Sequence, residues 1–279
     1  MTRSRPFVIW TMRRTGGTSL TMLLSRLSEH PTREHEPFNH GRRFGWVAEN
    51  FKTHADPARL RADMETALAE RPNIKHCYDL LPMALHAALL EVTQKLDYAH
   101  MILDRRDEGS RIRSLELALA TGAWGPDDAR KVYPAYLEGD TPVPEMALDR
   151  IARMRKTAAS RRKWLAGALG SAGISPVVVF FEDVYGPGAE GAARIDATVK
   201  ALGLDRDRLP DFDAQVARSL EGSGQGSGRI LPLVPNIAEV EKALAAPKGW
   251  PNPFDGGHEK ATESPAEDPA ADTPPPARR

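Results

Sequence analysis

Apolar and β-forming residues cluster in four short runs, separated by longer stretches in which apolar positions recur every three or four residues. The first run is Phe7-Val8-Ile9-Trp10-Thr11. Such runs of β-branched and aromatic residues suit strands covered on both faces in a parallel sheet. Ile74 to Tyr78, Tyr98 to Leu103 and Pro176 to Phe181 are the other three candidates, and Pro-Val-Val-Val-Phe-Phe is the clearest. Leu20, Leu23, Leu24 and Leu27 follow the first run at helical spacing. Helical spacing also marks 57–69, 80–95, a segment after Asp107 carrying Ile112, Leu115 and Leu119, 144–169, 192–202 and 237–244. Residues 31–56 and 122–144 read as loop, the first rich in His, Pro, Asn and Gly. Strands alternating with helices predict an α/β three-layer sandwich with a central parallel sheet. In such sheets ligands sit beyond the carboxyl ends of the strands.

Composition narrows the class. The chain has 279 residues, enough for one large α/β domain, assigned to 1–250. From 251 to 279 prolines, alanines and acidic residues dominate, and this tail is expected to be disordered. With 38 basic and 38 acidic residues the net charge is +0, which gives no global reason to expect nucleic acid as partner. The one cysteine, Cys77, excludes an intrachain disulfide and a four-cysteine metal site. No apolar stretch approaches the ~20 residues of a membrane span, and a cytoplasmic location is expected. The basic run from Arg150 to Lys163 reads as a solvated helix face.

Candidate chemistry begins after the first strand, at Arg13-Arg14-Thr15-Gly16-Gly17-Thr18-Ser19. A helix start presents unpaired N–H groups and the positive end of its dipole, which favour a phosphate or sulfate. Gly16 and Gly17 let backbone approach an anion, Thr18 and Ser19 offer hydroxyl donors, and Arg14 adds fixed charge. No lysine follows the glycines, so the segment is not a Walker A loop. After the third strand, Arg106 precedes Ser114 by eight positions, close enough on a helix start for both to meet one phosphate.

Together these segments resemble sulfotransferases that use 3′-phosphoadenosine 5′-phosphosulfate (PAPS). Arg14 to Leu20 is similar to their 5′-phosphosulfate loop, Arg106 to Ser114 to their 3′-phosphate motif, and Phe181-Glu182-Asp183-Val184 to a strand-ending acidic pair. The resemblance implies a P-loop NTPase-like fold, PAPS as co-substrate, no metal, and sulfuryl transfer to a hydroxyl or amine of a small-molecule or glycan acceptor. It places Arg14 at the bridging oxygen and Arg106 and Ser114 at the 3′-phosphate. The general base stays open between two regions. Glu36, with Glu34 as an alternative register, matches a loop glutamate of bacterial trehalose-type members, and Lys75-His76 resembles a Lys-Thr-His segment in which the histidine is the base. A glycine- and serine-rich loop from Gly222 to Arg229 is a candidate nucleotide cover, with Arg229 reaching a phosphate. A P-loop kinase and a non-catalytic nucleotide binder are the competing classes.

Overall fold

The structure is a computed structural model that describes residues 5–32, 34–186, 188–221, 226–245 and 252–255. Four strands, β1 (Phe7–Thr11), β2 (Ile74–Cys77), β3 (Ala99–Asp104) and β4 (Val177–Phe180), form one parallel sheet in the order β2-β1-β3-β4. The register places Ile9 opposite Lys75 and Met101, and Trp10 opposite His76 and Ile102. All five residues of β1 are buried, as the unbroken apolar run predicts. The helices are α1 (Gly17–Arg26), α2 (Gly45–His54), α3 (Pro57–Ala67), α4 (Met83–Lys95), α5 (Glu108–Thr121), α6 (Pro126–Leu137), α7 (Leu148–Ser171), α8 (Phe181–Tyr185), α9 (Gly191–Ala201), α10 (Phe212–Glu221) and α11 (Ile237–Leu244).

Side-chain alternation along each strand divides the core in two. Val8, Trp10, Ile74 and Ile102 meet Val47 of α2, Leu60 and Met64 of α3, Leu85 and Leu89 of α4 and Leu165 of α7. On the other face Phe7, Ile9, Met101 and Leu103 meet Leu20 and Leu24 of α1, Ile195 and Val199 of α9 and Phe212 of α10. Helices therefore cover both faces, which makes the expected three layers. A third cluster joins α5, α6, the start of α7 and α11 through Ile112, Leu117, Tyr133, Ile151 and Val240.

Several expectations need correction. Residues 45–54 form α2 rather than loop, because Trp46, Val47 and Phe51 supply an apolar face just beyond the His- and Pro-rich stretch. Residues 126–137 form α6, which begins at Pro126 with Asp127 and Asp128 in its first turn, where proline and acidic side chains suit a helix start. The acidic pair Glu182-Asp183 opens α8 instead of closing a strand. On α5 Ile112, Leu115 and Leu117 are the large apolar side chains that are buried, and Leu119 is only half-buried. The basic face of α7 is partly spent inside the molecule. Arg150 grips Glu116, whose side chain is fully buried, and Arg162 grips Asp104. The expected tail lies mostly outside the described residues, at 251 and 256–279. Within 252–255, Asn252 donates to Asp104, Phe254 packs on the core and Asp255 pairs with Arg106.

The Asp104–Arg162 contact closes the central strand. Arg162 Nε and Nη2 lie 2.7 and 2.8 Å from the two carboxylate oxygens, and the Arg105 amide and Asn252 complete the shell. Burial alone would raise the Asp104 carboxyl; the hydrogen bonds and charge of Arg162 outweigh it and hold it below the usual range. Breaking one partner of such a pair strands a buried charge. Arg162→Met is expected to cost about 3–5 kcal/mol, read as a lower urea midpoint. The pair's contribution is complete above the ordinary aspartate pKa of about 3.9 and is lost as pH falls through the depressed folded value. A loss no larger than that of a surface ion pair, about 1 kcal/mol or less, would contradict this assignment.

Candidate functional site

The strand order reverses direction between β1 and β3, so the crevice beyond their carboxyl ends is where an open α/β sheet binds ligands. Thr11 Oγ1 donates to Leu103 O across this point at 2.8 Å and lies 2.5 Å from Thr15 Oγ1. Thr15 Oγ1 also reaches Met12 O, so two buried threonines pin the turn that leaves β1. The turn then uses left-handed backbone twice, at Arg14 (φ 69°) and Gly16 (φ 73°). Gly16 precedes α1 without a side-chain cap, and Thr18 and Ser19 are exposed in its first turn. The α1 amino end is thus open to an anion in the way the sequence suggests.

Space around the glycines is tightly used. A Cβ on Gly16 would lie 2.8 Å from the Phe181 ring, and one on Gly17 would lie 3.1 Å from Lys75 Cε. The Lys75 stem therefore runs along the loop, and its Nζ ends 2.6 Å from Glu36 Oε1. Asn39 Nδ2 donates to the other Glu36 oxygen at 2.9 Å, and the Glu36 amide donates to Lys75 O. Burial alone would raise the Glu36 carboxyl, but the Lys75 charge and hydrogen bonds from Lys75, Cys77 and Asn39 hold it below its ordinary value. Glu34 instead accepts from Arg42 and the Arg43 amide within its own loop. Of the two glutamates considered for the base, Glu36 is the one joined to β2 beside the phosphate loop.

His76 occupies a different place. It follows Lys75 on β2, so its side chain leaves the opposite face of the sheet. Its Nε2 lies 2.8 Å from His86 Nδ1, and Trp10 and Phe38 enclose the ring. Burial lowers its pKa to about 4 and pushes His86 well below its ordinary value. Both rings are neutral and belong to the α4 side of the core, not to the loop.

The arginines divide into two groups. Arg14 Nε donates to Ser114 Oγ at 3.0 Å and Nη1 to Trp124 O at 2.9 Å, so the structure brings Arg14 and Ser114 together. Burial lowers the Arg14 pKa, and Arg105 adds to the effect while Tyr133 opposes it. Arg105 stacks on Phe181, the ring that flanks Gly16. Its Nε is buried without a hydrogen-bond partner, and burial lowers its pKa. Arg105 is a site cation that the sequence reading missed; its position directly after a strand, in Asp104-Arg105-Arg106, was the available signal. Arg111 holds the Arg13 carbonyl from below, while the Arg13 side chain bonds Asp79. The side chains of Arg106 and Ser114 are engaged with different partners. Arg106 points to Asp183 and Asp255 and stacks on Phe180. Arg229 is exposed in a short turn, Ser227–Arg229, and residues 222–225 of the expected cover lie outside the described residues.

A cleft of about 450 Å³ lies by α8 and α9, lined by Glu182, Asp183, Glu190 and Arg194 among others, and none of the loop residues contributes to it. The loop offers the donors and cations an anion site needs, whereas this cleft is walled largely by carboxylates. Among the described residues no group of three His, Cys, Asp or Glu side chains is arranged to hold a metal ion, and no helix is long and apolar enough to cross a membrane. No protein-family model matches the chain, and no curated protein matches it.

Two measurements test this geometry. Gly16→Ala is expected to cost about 1–2 kcal/mol from its left-handed backbone alone, with a further loss from the Phe181 clash; unchanged stability would show that the turn relaxes freely. His76 and His86 are favoured neutral in the folded state, so the unfolded chain binds more protons between about pH 4 and the ordinary histidine pKa near 6.5. Stability is expected to fall as pH drops through that window. The double variant His76→Phe/His86→Leu should show a shallower slope in urea midpoints there.

Proposed function

We propose that this chain is a sulfotransferase that moves a sulfuryl group from PAPS to an acceptor hydroxyl, on a P-loop-like version of its α/β fold. One observation carries the reading: an ionised carboxylate, Glu36, is seated through Lys75 against a glycine loop that opens a helix at the sheet's switch point. A helix start with Gly16, Gly17, Thr18 and Ser19 supplies the donors an anion needs, and Arg14 and Arg105 supply charge. Arg105 Nε lies 3.7 Å from Glu182 Oε1 and makes no hydrogen bond, so it is a buried donor that a bound oxyanion satisfies.

In this reaction the acceptor oxygen bonds to sulfur while the bond from sulfur to the bridging oxygen breaks. The electron pair of that bond stays on the 5′-phosphate. Glu36 takes the acceptor proton, which requires it to be ionised beforehand, as its depressed pKa makes it. Arg14, steadied by Ser114 and Trp124 O, meets the charge that grows on the bridging oxygen. Arg106 is the 3′-phosphate ligand once it exchanges a carboxylate for the phosphate, and Ser114 contributes from the Arg14 side. Placing the enzyme in the cytoplasm is part of the same reading. The acceptor is a carbohydrate, glycolipid or small metabolite that carries the hydroxyl.

Calorimetry with 3′-phosphoadenosine 5′-phosphate, AMP and ATP tests the proposal. The first is expected to bind at least about tenfold more tightly, a difference of about 1.4 kcal/mol. Arg106→Ala should remove that preference, and equal affinities in the unaltered protein would sink the sulfotransferase reading. Glu36→Gln is expected to lower turnover by about 10²–10⁴-fold with donor affinity nearly intact. An unchanged rate would clear Glu36 of the base role.

A further inference from the structure

In the sequence Lys75 enters only as the neighbour of His76, with no role of its own, yet it touches both Glu36 and the glycine loop. It is 7% exposed, an unusual state for a lysine. Its stem covers Gly17, with a Cβ there predicted to fall 3.1 Å from Cε and 3.9 Å from Cδ. Its ammonium bonds Glu36 at 2.6 Å. Because Lys75 pairs with Ile9 in the sheet, its backbone is fixed beside the strand that delivers the phosphate loop. Burying an unpaired ammonium is costly, so the geometry demands a carboxylate at this place.

We propose that Lys75 is the positioning residue for Glu36, holding the carboxylate in register with the glycine loop through its ion pair and its packing on Gly17. This inference rests on the sulfotransferase reading for the role of Glu36 but not for the Lys75–Glu36 coupling itself. The loop lacks a lysine after its glycines, and here a lysine arrives over the second glycine from the neighbouring strand. Its duty differs from that of a loop lysine, since its charge is turned to the base.

The groups that face Glu36 can be named. Lys75 and Cys77 approach from β2, Asn39 and His35 from its own loop, and Asp79 lies beyond β2 on Arg13. His76 senses Glu36 from across the sheet but stays neutral in the core. Burial pushes the Cys77 thiol well up, so it is uncharged. Burial alone would lower the Lys75 ammonium; the charge and hydrogen bond of Glu36, with the charge of Asp79 beyond it, outweigh this and keep it charged. Among these neighbours Lys75 is the cation in direct contact with the carboxylate. Removing its charge leaves burial opposed mainly by the hydrogen bonds from Cys77 and Asn39, which raises the carboxyl pKa.

The test is a carbon-13 NMR titration of the Glu36 side-chain carboxyl in the full-length protein, with no nucleotide present. Wild type is compared with Lys75→Met, Lys75→Gln and Lys75→Arg. Lys75→Gln keeps a donor and most of the stem, so it serves if Lys75→Met does not fold. The neutral variants are expected to raise the Glu36 midpoint by about one pH unit or more, while Lys75→Arg keeps it low. In turnover assays the acid limb of the pH profile should move up by the same amount, and kcat should fall with the donor KM little changed. An unmoved Glu36 midpoint in both neutral variants overturns the proposal and leaves the pair as a structural staple. If the titration shifts while 3′-phosphoadenosine 5′-phosphate fails to bind, the coupling stands and the sulfotransferase reading is what has failed.

Discussion

A buried charge pair at the carboxyl end of β3 organises the edge of the sheet where the candidate site lies. Asp104 ends the strand fully buried, and Arg162 reaches it from the middle of α7 with two hydrogen bonds. Arg162 also bonds Glu108 in the first turn of α5. One guanidinium thus ties the sheet, the long helix and the helix start that follows β3. The Asp104 oxygens are further occupied by the Arg105 amide and Asn252, so the pair leaves little of its polar capacity unmet. That completeness is what makes two desolvated charges tolerable. The turn it fixes is the one from which Arg105 and Arg106 emerge in different directions, the first toward the glycine loop and the second toward α8.

The same economy governs β2. A strand in the sheet's interior face pattern sends alternate residues to opposite layers. Lys75 and His76 are neighbours in sequence and lie on opposite sides of the sheet in space. The lysine joins the α1 side, where a carboxylate and a glycine loop await it. The histidine joins the α4 side and is spent on a second histidine. A reading that takes the two residues as one motif therefore mixes two environments.

β1 and β4 were legible as short apolar runs covered by helices, whereas β2 and β3 were legible despite Lys75, His76 and His100, because β-formers flank those polar residues. Ordering of helices on both faces followed from their alternation with strands. The helices at 45–54 and 126–137 were not legible, for different reasons. The first buries only Gly45 and Val47 fully and sits against a stretch rich in turn-forming residues. The second carries Pro134 inside it and is flanked by Gly122, Gly125, Gly139, Pro142 and Pro144, turn-forming residues that make the whole stretch read as loop. Of the site, the glycine loop was legible because backbone requirements are local. Side-chain partners were not. Glu36 and Lys75 are 39 positions apart, and Arg106 meets carboxylates 77 and 149 positions away. Nothing in local spacing encodes such meetings, and charge pairs among 76 ionised residues have too many alternatives to choose from composition alone.

Asp255 gives the site a competitor of its own. It is joined covalently to the chain whose Arg106 it grips, so it acts at an effective concentration that no dilution lowers. A free anion that reaches for Arg106 is measured against this tethered carboxylate and against Asp183, not against water. Its apparent affinity therefore reports a difference between two anions. A chain shortened to exclude the low-complexity end would lose that competitor along with Asn252, and the binding constant read from it would belong to a different balance.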